Sequence, residues 1–530
     1  MRGDRSDRQS YGCCLASHTS ESMPTIKKER ILTLPQSRTI PKHKREKKQI
    51  DIAAAAKKLL GFPSLRPGQG DAILALLEGR DVLVVQPTGS GKSAIYQIAG
   101  ELMDGATVIV SPLIALQKDQ ADSIESERKL RDAVVLNSTQ SVSEHRETME
   151  QIEAGRARYI FLAPEQLRKQ ETMETLERGG IVLFVVDEAH CVSQWGHDFR
   201  PDYLQISAAI EALDHPPVLA MTATASSRVR EEIVEQLGMK KPKVMVQGFD
   251  RPNISLRVDS FGTEDEKLEA VLRRVAYAET PGIVYVATHK HSETLAEELK
   301  QREIDAVCYH GGMKAKDREA IQNRFMDGDA RVIVATNAFG MGVDKPDIRF
   351  VYHADVSESL DSYYQEIGRA GRDGEPAEAV LFYRPGDVGS QRYKSGNGKS
   401  DSTELEEVVR ALVEQDGTAS LEELVAKTSI ASRKMISTLH VLEETGTVEQ
   451  TVNGEFRIAT EQSIEEISQA ATEALEQQKE LRKDRLEHMK LYAEQRSCRR
   501  EALLRYFGDE YEGPCGNCDI CEAAGVKAAA

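Results

Sequence analysis

Two adjacent carboxylates that follow an apolar run are the residues of this chain best suited to chemistry. Residues 181–186, IVLFVV, predict a buried parallel strand, and Asp187 and Glu188 come directly after it. Open α/β sheets bind ligands at the carboxyl ends of such strands. Asp187 is suited to hold a nucleotide-bound Mg²⁺, and Glu188 to orient or deprotonate an attacking water. Solvated carboxylates are also common at strand ends, so the pair indicates catalysis only if a phosphate site accompanies it.

That phosphate site is predicted at residues 86–93, QPTGSGKS, which follow a short apolar strand (81–85) and precede a helix extending through Met103. In such a loop, backbone N–H groups and the helix N-terminus cradle phosphates. Lys92 would reach the β- and γ-phosphates, and the Ser93 hydroxyl would complete the Mg²⁺ shell. The strict motif begins with Gly where this chain has Gln86, but the later glycines still allow close approach of the backbone. The candidate nucleotide contacts of the loop are Thr88, Gly89, Ser90, Gly91, Lys92 and Ser93.

A polar turn before this strand offers a second part of a nucleotide site. In residues 60–69, LGFPSLRPGQ, Phe62 could stack on a purine and Gln69 could bond its donor and acceptor edge, with Arg66 supporting both. A turn that caps the following helix (71–77) is an equally good interpretation of the segment alone.

The segment after the two carboxylates is rich in aromatic residues. His190, Trp195 (the only Trp of the chain), His197, Phe199 and Arg200 lie within eleven residues, followed by Tyr203. Aromatic rings beside an Arg are typical of surfaces that stack on unpaired bases. The alternative is an aromatic cluster that holds the loop against the core.

Alternating strands and helices predict two doubly wound α/β domains, 51–247 and 248–390, joined by the linker Phe249–Asn253. The second domain has no phosphate loop, but its predicted helix 362–367 carries Gln365 and leads to Arg369 and Arg372. Two such Arg residues suit an arginine finger that donates across a cleft to the γ-phosphate. A single Arg at this kind of position is more often a surface ion-pair residue.

The C-terminal third predicts two smaller units. Three helices and a hairpin around Asn453-Gly454 give a winged-helix outline over residues 400–460. Its third helix carries Arg433 and Lys434 among Glu residues, so DNA contact and a structural or protein-binding role both remain open. A long charged helix (464–495) then leads to a unit ending at 524, which we expect to be a helical hairpin with a metal site.

Four cysteines in that last unit have the spacing of metal ligands: Cys498, followed by Cys515, Cys518 and Cys521. Four thiolates with CxxCxxC at one end predict a closed, tetrahedral structural Zn²⁺ site, with iron–sulfur ligation as the alternative. Cys191 and Cys308 fall in core elements and are expected to be buried thiols.

Composition restricts the class of protein. The chain has 530 residues, no apolar run of 18 and no signal peptide, and its cysteine distribution suggests a reducing compartment, which predicts a cytoplasmic location. The net charge of −17 argues mildly against a nucleic-acid partner, although binding depends on local charge. Residues 1–50 predict a disordered basic tail.

Taken together, the motifs LRPGQ, PTGSGKS, SPLIALQKDQ, DEAHCVSQWGHDFRPDY, TATA, NAFGMGVDKPDIR and QEIGRAGRDG resemble the RecQ family of superfamily 2 helicases over residues 60–385. The resemblance implies two RecA-like domains, the cofactors ATP, Mg²⁺ and Zn²⁺, and DNA as partner. It places Phe62, Arg66 and Gln69 on adenine, adds Gly342 and Asp344 as nucleotide contacts, and favours Arg372 over Arg369 as the finger. It also assigns the aromatic segment to coupling of single-strand binding with ATP hydrolysis.

The expected activity is ATP-dependent unwinding of DNA, with 3′→5′ movement and roles in recombination and repair implied by the resemblance. The alternatives are an RNA-directed helicase of the wider superfamily and a DNA-binding or annealing protein that uses ATP as a switch. In the family a winged helix follows the zinc module, whereas here the winged-helix outline precedes the cysteines. We expect none in the nine residues after Cys521.

Overall fold

A computed structural model describes residues 51–87, 89–112, 114–126, 132–137, 140–193, 199–340, 343, 345–389, 402–415, 417–451, 455–460 and 462–526. The predictions for the tail 1–50, and for Thr88, Trp195, His197, Gly342, Asp344 and the hairpin turn Asn453-Gly454, lie outside these residues. None of the helices in the described ranges combines the length and apolarity needed to span a bilayer.

The first lobe is a seven-stranded parallel sheet with helices around it. Its strand order is β3-β4-β2-β5-β6-β1-β7. All its central strands are buried, as their continuous apolar runs require, and crossover helices separate most of them along the chain. The elements are α1 Ile52–Leu60, α2 Gln69–Leu77, β1 Val82–Val85, α3 Ser93–Leu102, β2 Ala106–Val110, α4 Ile114–Ser126, β3 Ala133–Leu136, α5 Val142–Glu153, β4 Tyr159–Leu162, α6 Gln170–Arg178, β5 Ile181–Val186, α7 Ile206–Ala212, β6 Val218–Thr222, α8 Ser227–Gln236 and β7 Lys243–Val246.

The second lobe is a six-stranded parallel sheet with the order β10-β11-β9-β12-β13-β8. The strands at its centre are fully buried, as expected for a parallel sheet with helices around it. The elements are β8 Ile254–Ser260, α9 Glu264–Tyr277, β9 Gly282–Tyr285, α10 His289–Gln301, β10 Ala306–Tyr309, α11 Ala315–Met326, β11 Val332–Ala335, β12 Phe350–His353, α12 Leu360–Ile367 and β13 Ala377–Tyr383. Both lobes are RecA-like parallel-sheet domains.

A small unit with the winged-helix arrangement follows. Its three helices pack beside a three-stranded antiparallel sheet of order β14-β16-β15. The elements are α13 Ser402–Val413, β14 Thr418–Ala419, α14 Leu421–Lys427, α15 Ser432–Glu444, β15 Val448–Gln450 and β16 Phe456–Ile458. Leucines and valines on the inner faces of the helices form a separate hydrophobic core for this unit.

The last unit covers an edge of the second sheet. It consists of α16 Ile464–Glu494, α17 Arg499–Tyr506 and α18 Asp519–Ala523. The backbone N–H of Leu256 on edge strand β8 donates to the Asn517 carbonyl oxygen at 3.3 Å, and that of Val258 donates to an Asp519 carboxylate oxygen at 3.3 Å. The edge of β8 is therefore paired with the cysteine-bearing segment rather than exposed to other chains.

Candidate active site

The loop between β1 and α3 has the geometry of a phosphate cradle. Gly89 and Gly91 adopt φ of 79° and 83°, in the left-handed region that favours glycine. The Lys92 ammonium curls back to donate to the carbonyl oxygens of Gln86 (2.8 Å) and Pro87 (3.2 Å). The hydroxyl of Ser90 is buried and has no hydrogen-bond partner among the described residues. A loop with a curled cation and an unsatisfied buried hydroxyl fits the triphosphate of a nucleotide and its Mg²⁺.

The predicted purine-binding turn is attached to this loop. The Gln69 side-chain amide donates to the Gly91 carbonyl oxygen at 2.9 Å, and the Arg66 guanidinium donates to that of Gly89. Gln69 also accepts from the Arg66 backbone N–H at 2.9 Å. Phe62 is half-buried and packs against the hydrophobic core of the lobe. The structure thus bonds Arg66 and Gln69 directly to the phosphate loop and places Phe62 against the core of the same lobe.

Asp187 and Glu188 lie near Lys92 at the same rim of the sheet, because β6 alone separates β5 from β1. Burial and the Glu188 carboxylate raise the pKa of Asp187 to about 7, and the Lys92 ammonium opposes that rise. Burial lowers the pKa of Lys92, while Glu188 and Asp187 oppose the lowering. The two carboxylates repel each other, and one ammonium compensates only part of their charge. A bound divalent cation would reduce this repulsion.

His190 connects these carboxylates to the next strand. Its Nδ1 lies 2.9 Å from the Thr222 hydroxyl and 3.3 Å from a Glu188 carboxylate oxygen. The Thr222 hydroxyl in turn donates to the Thr224 carbonyl oxygen at 3.0 Å. Burial would lower the pKa of His190, but its contacts with Cys191 and Glu188 outweigh burial and raise it. His190 therefore occupies a buried polar position behind Glu188 rather than an exposed surface.

The second lobe brings Arg372 to the phosphate loop of the first. A Cβ built on Gly89 would lie 4.0 Å from the Arg372 Cδ, and the charge of Arg372 lowers the pKa of Lys92. The Arg372 Nη1 donates to the Val343 carbonyl oxygen at 2.9 Å. Arg369 is instead buried within its own lobe and donates to the Gly340 carbonyl oxygen. Gln365 lies beside Arg369 on the wall of a cavity of about 140 Å³ in the second lobe.

The arginine-bearing loop is held by two residues of the segment that was predicted only as a linker. Arg251 donates to the carbonyl oxygens of Gly368 (3.0 Å) and Ala370 (2.7 Å), and the Asn253 amide donates to that of Gly371 (2.8 Å). The sequence indicates this role only through Arg251, whose side chain has several hydrogen-bond donors, in a segment expected to be polar. The linker between the lobes therefore also fixes the loop that presents Arg372.

The described residues at both ends of the aromatic-rich segment are anchored to the first lobe. Tyr203 is fully buried, and its hydroxyl donates to the Asp187 carbonyl oxygen at 3.1 Å. The Arg200 guanidinium donates to the Pro112 carbonyl oxygen at 3.2 Å, and Phe199 is half-buried. For Tyr203 the structure favours the alternative of a ring that holds the loop to the core.

The four cysteines converge on one point. The sulfur atoms of Cys498, Cys515, Cys518 and Cys521 all lie within 4.8 Å of one another, and those of Cys515 and Cys521 are 3.9 Å apart. Zn–S bonds of about 2.3 Å in a tetrahedron place sulfurs about 3.8 Å apart, so the cluster fits Zn²⁺.

The chain matches three family models. The DEAD/DEAH box helicase model covers residues 66–233, the helicase conserved C-terminal domain covers residues 266–374, and the RecQ zinc-binding model covers residues 455–522. The first match lies within the first lobe, the second lies within the second lobe, and the third contains the cysteine cluster.

Two known proteins are similar in sequence to this chain over most of its length. The probable ATP-dependent DNA helicase RecS of Bacillus subtilis is 36% identical over 468 residues, which cover 88% of this chain and 90% of the relative. The ATP-dependent DNA helicase RecQ of Haemophilus influenzae is 33% identical over 465 residues, covering 88% of this chain but 62% of the relative. The solved structure of the DUF1998 helicase MrfA bound to DNA is similar in fold, with a TM-score of 0.54, 17% identity, and coverage of 78% of this chain and 62% of that one. The chain belongs to the RecQ family of DEAD/DEAH-box helicases.

Proposed function

We propose that this chain is an ATP-dependent DNA helicase of the RecQ type, which hydrolyses ATP between its two lobes and moves along single-stranded DNA. The observation that carries the proposal is the position of Arg372, a residue of the second lobe, beside Gly89 of the phosphate loop in the first. A guanidinium at this place completes a nucleotide site that neither lobe holds alone. Hydrolysis then changes the contacts between the lobes.

Each residue of the cleft has a defined task in this proposal. Gln69, Arg66 and Phe62 hold the adenine; Lys92 leaves its loop carbonyl oxygens and binds the β- and γ-phosphates; Arg372 stabilises the charge that develops on the γ-phosphate. Glu188, backed by His190, orients the attacking water and accepts its proton. Ser93 and Asp187 would hold Mg²⁺, which supplies neutralisation of phosphate charge. Thr88, Gly342 and Asp344 complete the nucleotide contacts, and Gln365 and Arg369 support the second lobe's share of the site.

Single-stranded DNA is assigned to the rim where the aromatic-rich segment lies, with Trp195, His197, Phe199 and Arg200 contacting bases and backbone. The proposal also includes movement in the 3′→5′ direction, roles in recombination and repair, and a cytoplasmic location beside the DNA.

The proposed domains are 51–247, 248–390, 400–460 and 464–524. The zinc site is structural: bound Zn²⁺ would supply a crosslink among the four thiolates, and those residues hold the edge of β8 and the linker in place.

The test is ATP turnover by the purified full chain with no nucleic acid, with single-stranded DNA and with RNA of the same sequence, followed by strand separation on a forked duplex with a 3′ tail. We expect DNA to raise turnover well above the RNA and unstimulated values, and the fork to be unwound only with ATP. Stronger activation by RNA would identify an RNA-directed helicase. DNA-activated turnover without strand separation on either fork polarity would identify an ATP-switched binding or annealing protein.

A further inference from the structure

The zinc-binding unit, formed by α16, α17 and α18, bonds the backbone that connects the two lobes. The Arg500 Nη2 donates to the carbonyl oxygens of Arg251 (3.0 Å) and Ile254 (2.6 Å). The Asn517 side-chain amide donates to that of Pro252 at 2.9 Å. These three acceptors belong to the linker and to the first residue of β8. The zinc-binding unit therefore holds the chain at the point where it passes from the first lobe to the second.

Arg500 is the main donor in this contact. It is 5% exposed, and its Nε also pairs with the Asp250 carboxylate at 3.2 Å. Hydrogen bonds from a charged guanidinium are stronger than those between neutral groups. Arg500 lies on the first turn of α17, two residues after Cys498 of the cysteine cluster. Its place is thus set by the unit that the cluster belongs to, outside both lobes.

The linker side chains hold the loop that leads to Arg372. The Arg251 guanidinium donates to the Gly371 carbonyl oxygen at 2.9 Å, and the Asn253 amide donates to the same oxygen at 2.8 Å. Asn253 also donates to the Glu375 carbonyl oxygen at 2.8 Å. Because Gly371 immediately precedes Arg372, these bonds fix the backbone from which the guanidinium extends.

Helix α17 is itself attached to both lobes. The Tyr506 hydroxyl near its end donates to the buried Asp361 carboxylate of α12 at 2.5 Å. Arg230 of α8, in the first lobe, donates to the Phe507 carbonyl oxygen at 2.9 Å. The helix that carries Arg500 is therefore a support for the linker that is anchored on either side of the cleft.

We propose that Arg500 is a positioning residue for ATP hydrolysis, because it holds the linker whose side chains set the place of Arg372. This inference rests on the proposed function and deepens it, since it names a residue outside both lobes on which the arginine finger depends. A misplacement of about 1 Å can lower a reaction rate about 100-fold. The ATP contacts of the first lobe do not involve this support, so its loss affects kcat rather than ATP affinity.

The experiment compares the zinc-loaded parent chain with Arg500→Gln, Arg251→Gln and the double variant, all as full chains. For each, kcat and KM for ATP are measured at saturating single-stranded DNA, affinity for a fluorescent ATP analogue by titration, and bound zinc by a colorimetric assay. We expect Arg500→Gln to lower kcat about 10- to 100-fold. Its analogue affinity should stay within about twofold of the parent, with unchanged zinc content. Arg251→Gln should lower kcat similarly, and the double variant should lose little more than the larger single loss, because both side chains act on one loop.

Two further variants separate positioning from a structural role. Arg505→Gln, on the exposed face of α17, removes a pair with Glu501 (2.7 Å) and should keep parental kcat. Arg500→Lys should restore kcat to within about threefold of the parent, because one ammonium can donate to both carbonyl oxygens as the single Nη2 does. Parental kcat for Arg500→Gln, a comparable loss of kcat and analogue affinity, additive losses in the double variant, or no recovery in Arg500→Lys would each overturn the positioning role.

Asn517→Ala keeps the proposal testable if Arg500→Gln loses its zinc. This variant removes only the bond to Pro252, and kcat should fall about two- to fivefold with zinc content and analogue affinity unchanged. Parental kcat for Asn517→Ala would then overturn the positioning role. A parent chain whose kcat does not depend on Arg372 would instead overturn the proposed function, and this inference with it.

Discussion

At the scale of single residues, the phosphate loop is characterised by the contacts of Lys92. Lys92 is bonded to carbonyl oxygens of its own loop, and its ammonium lies beside two carboxylates and one guanidinium. A cation held in this way can exchange the two carbonyl oxygens at the strand end for phosphate oxygens, which are stronger acceptors because they are charged.

Replacing Lys92 by Ala should therefore remove turnover and leave the fold intact. We expect kcat to fall at least about 100-fold, the usual effect of losing one transition-state contact. The melting temperature should stay close to that of the parent, because the lost hydrogen bonds are offset by the removal of a charge that burial disfavours. Steady-state ATPase assays and calorimetry measure the two quantities. A variant with near-parental kcat would mean that Lys92 does not contact the transferred phosphate.

A second residue-scale prediction concerns stability and pH. Asp355 accepts hydrogen bonds from the Ala287 backbone N–H and from His291 Nδ1, both at 2.7 Å, and lies 3.7 Å from the buried Lys267 ammonium. Although burial raises the pKa of Asp355, these partners outweigh it and hold the pKa well below its usual value. A depressed pKa stabilises the fold at pH values above the unfolded pKa of about 3.9, and that stability is lost as the pH falls below it.

Asp355→Asn should lower the free energy of unfolding at pH 7 by about 2–4 kcal/mol, because Lys267 loses part of its charge compensation. The difference between parent and variant should shrink as the pH falls below about 4. Urea unfolding at several pH values measures both effects. The matched control is Asp347→Asn, which removes a more exposed ion pair with Lys345 and should cost under about 1 kcal/mol. A difference that is constant from pH 7 to pH 3 would contradict the assignment.

At the scale of elements, the winged-helix unit is joined to the first lobe through its third helix. Arg168 pairs with Asp202 (2.9 Å) and with Glu443 near the end of α15 (3.4 Å). Residues 402–458 contain eleven acidic and five basic residues, a net charge of −6. A helix docked on its own protein within an acidic unit is a poor match for duplex phosphates.

We accordingly expect Lys434→Gln to leave the affinity for duplex DNA unchanged within about twofold. Lys434 bonds Glu404 inside the unit, so the variant should instead lose up to about 1 kcal/mol of stability. Anisotropy titrations of a labelled duplex at fixed salt give the affinity, and thermal unfolding gives the stability. A tenfold weaker duplex affinity would show that α15 contacts DNA.

The sequence predicted those helices and strands whose positions depend on a local pattern of apolar residues. The strand that ends before Asp187 was predicted at residues 181–186, and three helices were predicted within residues 400–460. Both predictions are confirmed, because apolar periodicity and caps are local. Strands β3, β7, β8 and β13 were not individually predicted. Leu256, Arg257 and Val258 of β8 alternate because one face of the strand packs on the core and the other is half-exposed. The outer edge of β8 pairs with the cysteine-bearing segment, and no local pattern encodes that partner.

The same limit applies to the candidate site. The motif glycines and Lys92 predicted the phosphate loop, whereas the role of Arg251 in holding the Gly368–Gly371 turn depends on contacts over more than a hundred residues. Arg369 and Arg372 looked equivalent by spacing. The packing of the second lobe distinguishes them in the structure. The Arg369 guanidinium is buried and bonded within its own lobe, whereas Arg372 lies beside Gly89.

At the scale of the whole molecule, four units are arranged around one interlobe cleft. The Phe249 ring of the linker stacks on Phe507 of the zinc-binding unit at 4.9 Å, and Arg230 of the first lobe bonds the backbone of the same residue. The C-terminal units therefore contact both lobes and the linker between them. The net charge of −17 is compatible with a DNA partner, because binding depends on local charge rather than on the total.

The most direct test of this account is the effect of Arg372→Ala on ATP turnover and on ATP binding. If the two lobes share one nucleotide, kcat should fall by about 10³-fold or more while the affinity for a fluorescent ATP analogue changes little, because the guanidinium acts mainly on the transition state. Arg302→Ala, which removes an exposed ion pair with Glu269 in the same lobe, is the control and should keep parental kcat. Turnover of Arg372→Ala within a fewfold of the parent would contradict the central claim that an arginine from the second lobe completes the site of the first.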